Sequence, residues 1–198
     1  KESLQIAAKL AISHCLPNRY ERIFLSLYLK KMKTLLIVVG KTQNKHLSAL
    51  MDDYLGRIGR YLPFEMEVVP DLRNTRGLNA EQQKEREGIN LLAKLHDGDR
   101  VILLDERGKE KRSVEFARFI DKNLQGSSRR MVFIIGGPYG FSNDVYRRAD
   151  KYLSLSQMTF SHQMIRLLFL EQYYRALTIL HGEPYHHETE PSEAMTRK

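Results

Sequence analysis

Three stretches of this chain carry residue types that can do chemistry together. They are the turn Gly136-Gly137-Pro138-Tyr139-Gly140, the run Leu155-Ser156-Gln157-Met158-Thr159-Phe160, and the polar positions between His162 and His187. The glycine pair lets backbone approach a ligand closely, and Pro138 stiffens the turn. The second run offers backbone donors and acceptors with apolar side chains able to sandwich a flat ring, a mix that suits adenine. Arg166, Glu171 and Arg175 interrupt an otherwise apolar segment and read as an ion pair plus one arginine for catalysis or phosphate binding. Plainer readings stand beside these: a tight strand-to-helix turn, and an ordinary loop.

Other chemistries find less support. The glycine turn lacks the G-x-G-x-x-G order of a dinucleotide site, and no G-x-x-x-x-G-K-[ST] occurs. There is no G-x-S-x-G elbow, and the single cysteine, Cys15, sits far from these stretches, which disfavours a serine or cysteine hydrolase. His181, Glu183, His186 and His187 invite a metal reading. However, His186 and His187 are adjacent and no helical i, i+4 histidine pair exists, so no metal is expected.

The elements that must position these residues alternate. Leu35–Val39 is a β-branched apolar run ended by Gly40, and residues 47–61 place Leu47, Leu50, Met51, Tyr54, Leu55 and Ile58 at helical spacing. Phe64–Val69 is a second strand. Asn79 caps a charged helix to about Leu95, with Gln82 placed for a capping box. Val101–Leu104 is a third strand, and Ser113 opens a helix with Phe116, Ile120 and Leu124 on one face. Met131–Ile135 and Tyr152–Leu155 are the fourth and fifth strands, separated by a short helix. His162–Leu180 forms a long apolar helix, either a core helix or one that also packs on a second subunit. Strand and helix in strict alternation predict an α/β fold with a mainly parallel sheet covered on both faces. In such a sheet ligands lie outside the carboxyl ends of the strands, where the glycine turn, the run from Leu155 and Leu104-Asp105-Glu106-Arg107-Gly108 all fall.

The chain has 198 residues, room for one domain with a real core. No apolar run approaches the roughly 18 residues needed to cross a bilayer, so no membrane partner is expected. A lone cysteine fits a reducing, cytoplasmic setting. The net charge of +8 invites an anionic partner, yet residues 1–31 hold six Lys/Arg against two Glu, half the excess. That stretch breaks pattern with the rest. It is expected to be an appendage outside the fold, with Met32 as the start of the domain; the domain is expected over 32–188 and a polar, disordered tail over 189–198.

Residues 32–188 resemble the ribosomal RNA large subunit methyltransferase H family of the SPOUT superfamily. The likeness rests on Val39-Gly40-Lys41, Leu103-Leu104-Asp105, the run Phe133–Gly140, Leu153-Ser154-Leu155-Ser156, the run Met158–Arg166, Glu171–Ala176 and Gly182-Glu183-Pro184-Tyr185-His186. Ser161 stands where relatives often carry proline. The resemblance implies a C-terminal trefoil knot, which the general rule against threaded loops would never have predicted. It also implies a homodimer, S-adenosylmethionine as cofactor, and methylation of N3 of a pseudouridine in 23S rRNA of the assembled ribosome. Family cofactor positions fall on Leu104, Gly136, Leu155, Ser156, Gln157, Met158, Thr159 and Phe160. For catalysis we expect His162 or His186 as base, Tyr185 stacking on the target base, and Arg166 holding a phosphate or the anionic ring. The rival readings are another RNA, such as tRNA, and a non-catalytic ribosome-binding relative.

Overall fold

The computed structural model describes residues 32–126 and 128–185; the expected appendage, His186 and the expected tail lie outside the described residues. Five parallel strands, β1 (Lys33–Val39), β2 (Phe64–Val69), β3 (Asp99–Lys109), β4 (Arg130–Ile135) and β5 (Lys151–Leu153), form one sheet in the order β2-β1-β4-β3-β5. Five helices alternate with them: α1 (Lys45–Ile58), α2 (Ala80–Leu92), α3 (Ser113–Leu124), α4 (Asn143–Arg148) and α5 (Met164–Leu180).

The central strands are apolar throughout because both faces are covered. Leu36, Val38, Ile102, Met131, Phe133 and Ile135 point to the side occupied by α1, α3 and α5. Their strand neighbours Leu35, Ile37, Val101, Leu103, Val132 and Ile134 point to the side of α2 and α4. Alternation along a strand sends successive side chains to opposite faces, so each strand feeds two cores. Phe133, Phe169 and Tyr173 pack in one aromatic group, and the buried Tyr173 hydroxyl meets Thr34 Oγ1 at 3.0 Å. The capping box at Asn79 forms as expected: Asn79 Oδ1 accepts the Gln82 N–H at 2.8 Å, and Gln82 Oε1 accepts the Asn79 N–H at 3.0 Å.

Several boundaries differ from the sequence reading: β5 ends at Leu153 instead of Leu155 and α1 at Ile58 instead of Tyr61, and two further shifts bear on the site. Helix α5 begins at Met164, leaving His162 in the turn that enters it. Strand β3 runs to Lys109 instead of ending at Leu104. It leaves its ladder with β4 at Leu104, arches outward over 105–108, and rejoins β5 at Lys109, so Leu153 faces both Leu104 and Lys109. Such a bulge depends on a partner strand and carries no local pattern.

At the opposite end of the sheet, Asp99 is buried and bonded to Arg130 through Nε at 2.8 Å and Nη2 at 2.5 Å, and it accepts the His96 N–H at 2.8 Å. Burial alone would raise this carboxyl; the arginine fork and the backbone donor outweigh it and hold it below the ordinary range. A depressed folded value means the stabilisation is complete above the unfolded value of about 3.9 and is lost as pH falls through the folded one. Asp99→Asn is therefore expected to lower stability at pH 7 while flattening the decline below about pH 4. Urea unfolding of both proteins at pH 7 and pH 3 checks this: equal pH slopes would contradict it.

Candidate functional site

At the carboxyl ends of β3, β4 and β5 lies a cavity of about 350 Å³. Each wall is the continuation of a strand. After β3, the arch supplies Leu104, Asp105, Glu106 and Arg107; after β4, the glycine turn supplies Gly136 to Gly140; after β5, the loop supplies Ser154, Leu155, Ser156, Met158, Thr159 and Phe160. His162 and Ile165 close it from the entry to α5. Met158, Phe160 and Tyr139 are exposed apolar side chains at its rim. Of the eight cofactor positions expected from the resemblance, seven line this one cavity. Gln157 does not; its side chain turns outward to Glu110 at 3.5 Å.

The loop after β5 owes its shape to its serines. Ser154 Oγ donates to the Ser156 carbonyl at 2.9 Å, Ser156 Oγ accepts the Met158 N–H at 2.9 Å, and Ser161 Oγ accepts the Met164 N–H at 3.2 Å. These short-range bonds hold the backbone in place of a ladder. The glycine turn is braced from behind. A Cβ at Gly137 would stand 2.4 Å from Glu87 Oε2, so a side chain there would displace the Glu87 carboxyl on which the turn rests. Burial first, and then Asp71, push the Glu87 carboxyl up.

Asp105 and Tyr146 are the site residues that pattern reading left unassigned. Tyr146 donates to the Asp105 carboxylate, which also accepts the Arg107 N–H at 2.9 Å and its Nε at 3.1 Å. Burial would raise the Asp105 carboxyl, but the Tyr146 hydroxyl and the Arg107 donors outweigh it and hold it ionised below the usual range. The Tyr146 phenol is pushed up by its burial and by that same carboxylate. The cavity thus presents an Asp105 carboxylate already paired with Arg107, beside apolar side chains.

The remaining expected residues are placed elsewhere. Arg166 does not line the cavity. It is fully buried, donating to the carbonyls of Val39 and Gly40 (2.8 Å to the latter) and to Thr42 Oγ1 at 3.0 Å. Its guanidinium closes the carboxyl end of β1, which corrects the expectation that it meets a phosphate or an anionic ring. Arg175 and Glu171 form the expected ion pair, at 2.5 Å. Tyr185 packs on the outer side of α5, its ring 4.9 Å from that of Tyr174 and its hydroxyl 3.3 Å from Glu171, outside its own chain's cavity. His186 lies outside the described residues.

A parallel α/β sheet whose carboxyl-end loops line one cavity has the layout of a ligand-binding α/β protein. The comparisons narrow this. The family model described as a predicted SPOUT methyltransferase matches residues 32–186. The chain is 58% identical over 157 residues to a ribosomal RNA large subunit methyltransferase H of Bacteroides fragilis, which covers 79% of this chain and 100% of that relative. It is 55% identical to the protein of the same name in Phocaeicola vulgatus and 54% identical to that in Porphyromonas gingivalis, with the same coverage. The chain belongs to the SPOUT methyltransferase family, and it is a methyltransferase.

Proposed function

We propose that this protein uses S-adenosylmethionine to methylate N3 of a pseudouridine in 23S rRNA of the assembled ribosome, acting as a cytoplasmic homodimer. The observation that carries this reading is the convergence of Leu104, Gly136 and the loop from Leu155 to Phe160 on one cavity, with His162 in its wall. The cavity suits the cofactor in size and chemistry: apolar side chains for the adenine, backbone groups for its edge, and the Asp105 carboxylate for a ligand bearing positive charge. When bound there, S-adenosylmethionine supplies an electrophilic methyl group on a sulfonium.

The chain's own residues then orient and deprotonate. The three loops hold the donor against water, so alignment with the acceptor nitrogen supplies most of the rate. That nitrogen carries a proton, which would pass to a ring nitrogen of His162 as the N–C bond forms and the methyl–sulfur bond breaks, leaving a neutral thioether. His162→Asn is expected to lower kcat by about 10² to 10⁴ while leaving cofactor affinity unchanged. Single-turnover transfer on saturating ribosomes measures this; an unchanged rate would remove His162 as base.

The dimer reading draws support from α5, whose apolar side chains outside the core, including Leu167, Ile179 and Leu180, are only partly buried within one chain, with Met164 at 38% exposure. In a dimer, Tyr185 would cover the target base from the partner subunit, since it does not reach its own cavity. The knotted path is supported by two contacts. The end of β5, Leu153 with the Ser154 that follows it, passes directly against Gly108 of the arch, and α5 then packs on α1 and α3.

A further inference from the structure

The sequence left the basic excess of the domain without an address. Nine ion pairs occupy cations around the fold, yet Arg100, Lys111, Lys122 and Lys151 take part in none of them among the described residues. These four cations gather at one edge. Lys151 opens the outer strand β5, and its Nζ is fixed by Asn123 Oδ1 at 2.9 Å. That ammonium lies 5.0 Å from the ring centre of Phe119, and Lys111 Nζ lies 5.3 Å from the same ring. Two ammonium groups on one aromatic ring repel each other.

The neighbouring acids are engaged elsewhere. Asp150 accepts the Val101 N–H at 2.7 Å and stands 3.8 Å from Arg148. Asp121 is bound by Gln125 at 2.7 Å. Desolvation first, and then Arg100, Lys122 and Lys111, push the Lys151 ammonium down, and the opposing pull of Asp150 does not cancel them. The cluster is also close to the chemistry. Lys151 and Leu153 lie on the same face of β5, two residues or roughly 7 Å apart, and Leu153 lines the cavity. From the other side, Lys111 follows Glu110, which holds Gln157 of the cofactor loop.

We propose that Lys111 and Lys151, which share the Phe119 ring, together with Lys122, next to the Asn123 that fixes Lys151, and Arg100, bind the phosphate backbone of the substrate RNA beside the cofactor cavity. This rests on the RNA-methylating function proposed above and names the surface through which it engages its substrate. Phosphates spaced along an RNA strand match a row of fixed cations, and backbone contacts of this kind position a substrate without reading its sequence.

The test is equilibrium binding of the full chain to purified ribosomes across a salt series. Lys111→Gln with Lys122→Gln removes one half-buried and one exposed charge without touching the cavity. Affinity at fixed salt is expected to fall roughly tenfold, and the log–log salt slope to fall by about two, one for each lost phosphate contact. Calorimetric affinity for S-adenosylmethionine should not change. Lys33→Gln with Lys94→Gln, a pair already matched to Glu65 and Glu67, gives the same change of net charge and is expected to leave the slope intact. An unchanged slope in the first variant, or an equal fall in the second, overturns the proposal. Methyl transfer by the unaltered protein is scored separately. Ribosome binding without transfer would contradict the enzymatic function and leave the binding result to decide this surface.

Discussion

Replacing Gly108 by alanine is expected to destabilise the domain by about 3 kcal/mol or more and to abolish cofactor binding with it. A Cβ there would stand 2.5 Å from the carbonyl carbon of Leu153, 2.6 Å from its nitrogen and 2.7 Å from the nitrogen of Ser154. Carbon atoms pack at about 3.5 to 4.0 Å, so the methyl group needs about 1 Å that is not available. Nor can either side retreat. Leu153 is paired with Leu104 and Lys109 of the arch at once, and Ser154 donates to the Lys109 carbonyl at 3.4 Å. The obstacle is backbone, not a flexible side chain. Because the arch carries Asp105 and the far side carries the cofactor loop, any separation opens the cavity between them. Denaturant midpoints and S-adenosylmethionine calorimetry on Gly108→Ala measure both effects. An alanine variant with the midpoint and affinity of the original protein would show that the two segments do not cross so closely.

The second large effect is expected at Arg166. Arg166→Met keeps much of the volume but strips donors from the carbonyls of Val39 and Gly40 and from Thr42 in a site closed to water. Buried acceptors left without partners, together with a lost charge-assisted network, cost about 3 to 5 kcal/mol. Arg166→Lys should fall between, since an ammonium cannot reproduce the planar fork that reaches several acceptors. A phosphate-binding arginine would behave the other way: stability would survive and RNA affinity would fall. Urea unfolding beside ribosome binding for both variants separates the two roles. A stable Arg166→Met protein would refute the role assigned here.

What the sequence made legible follows from the range of the interactions involved. The strand from Leu35 and the helix after Asn79 are written in local pattern, apolar alternation and a capping box, and both form where the pattern places them. The glycine turn and the loop from Leu155 were readable as ligand-binding because their residue types act through nearby backbone. The turn from Leu104 to Gly108 was placed beside them by its position after a strand, but its shape was not readable, since the extension of β3 to Lys109 exists only against β5. Tyr146 reaches Asp105 across 41 positions, and Arg166 reaches Gly40 across 126. No spacing rule spans such distances, and an arginine on an apolar helix looks the same whether it meets a phosphate or a strand end. The charge behaved similarly: the count was plain in the sequence, but its concentration around Phe119 is a product of folding.

The most direct measurement of the central claim is transfer of a labelled methyl group from S-adenosylmethionine by the purified protein. It would be offered assembled ribosomes, free 23S rRNA and tRNA in parallel. The predicted result is label in the 23S rRNA of assembled ribosomes, located at N3 of a pseudouridine. Label on tRNA alone, or cofactor binding with no transfer to any of the three, would contradict it.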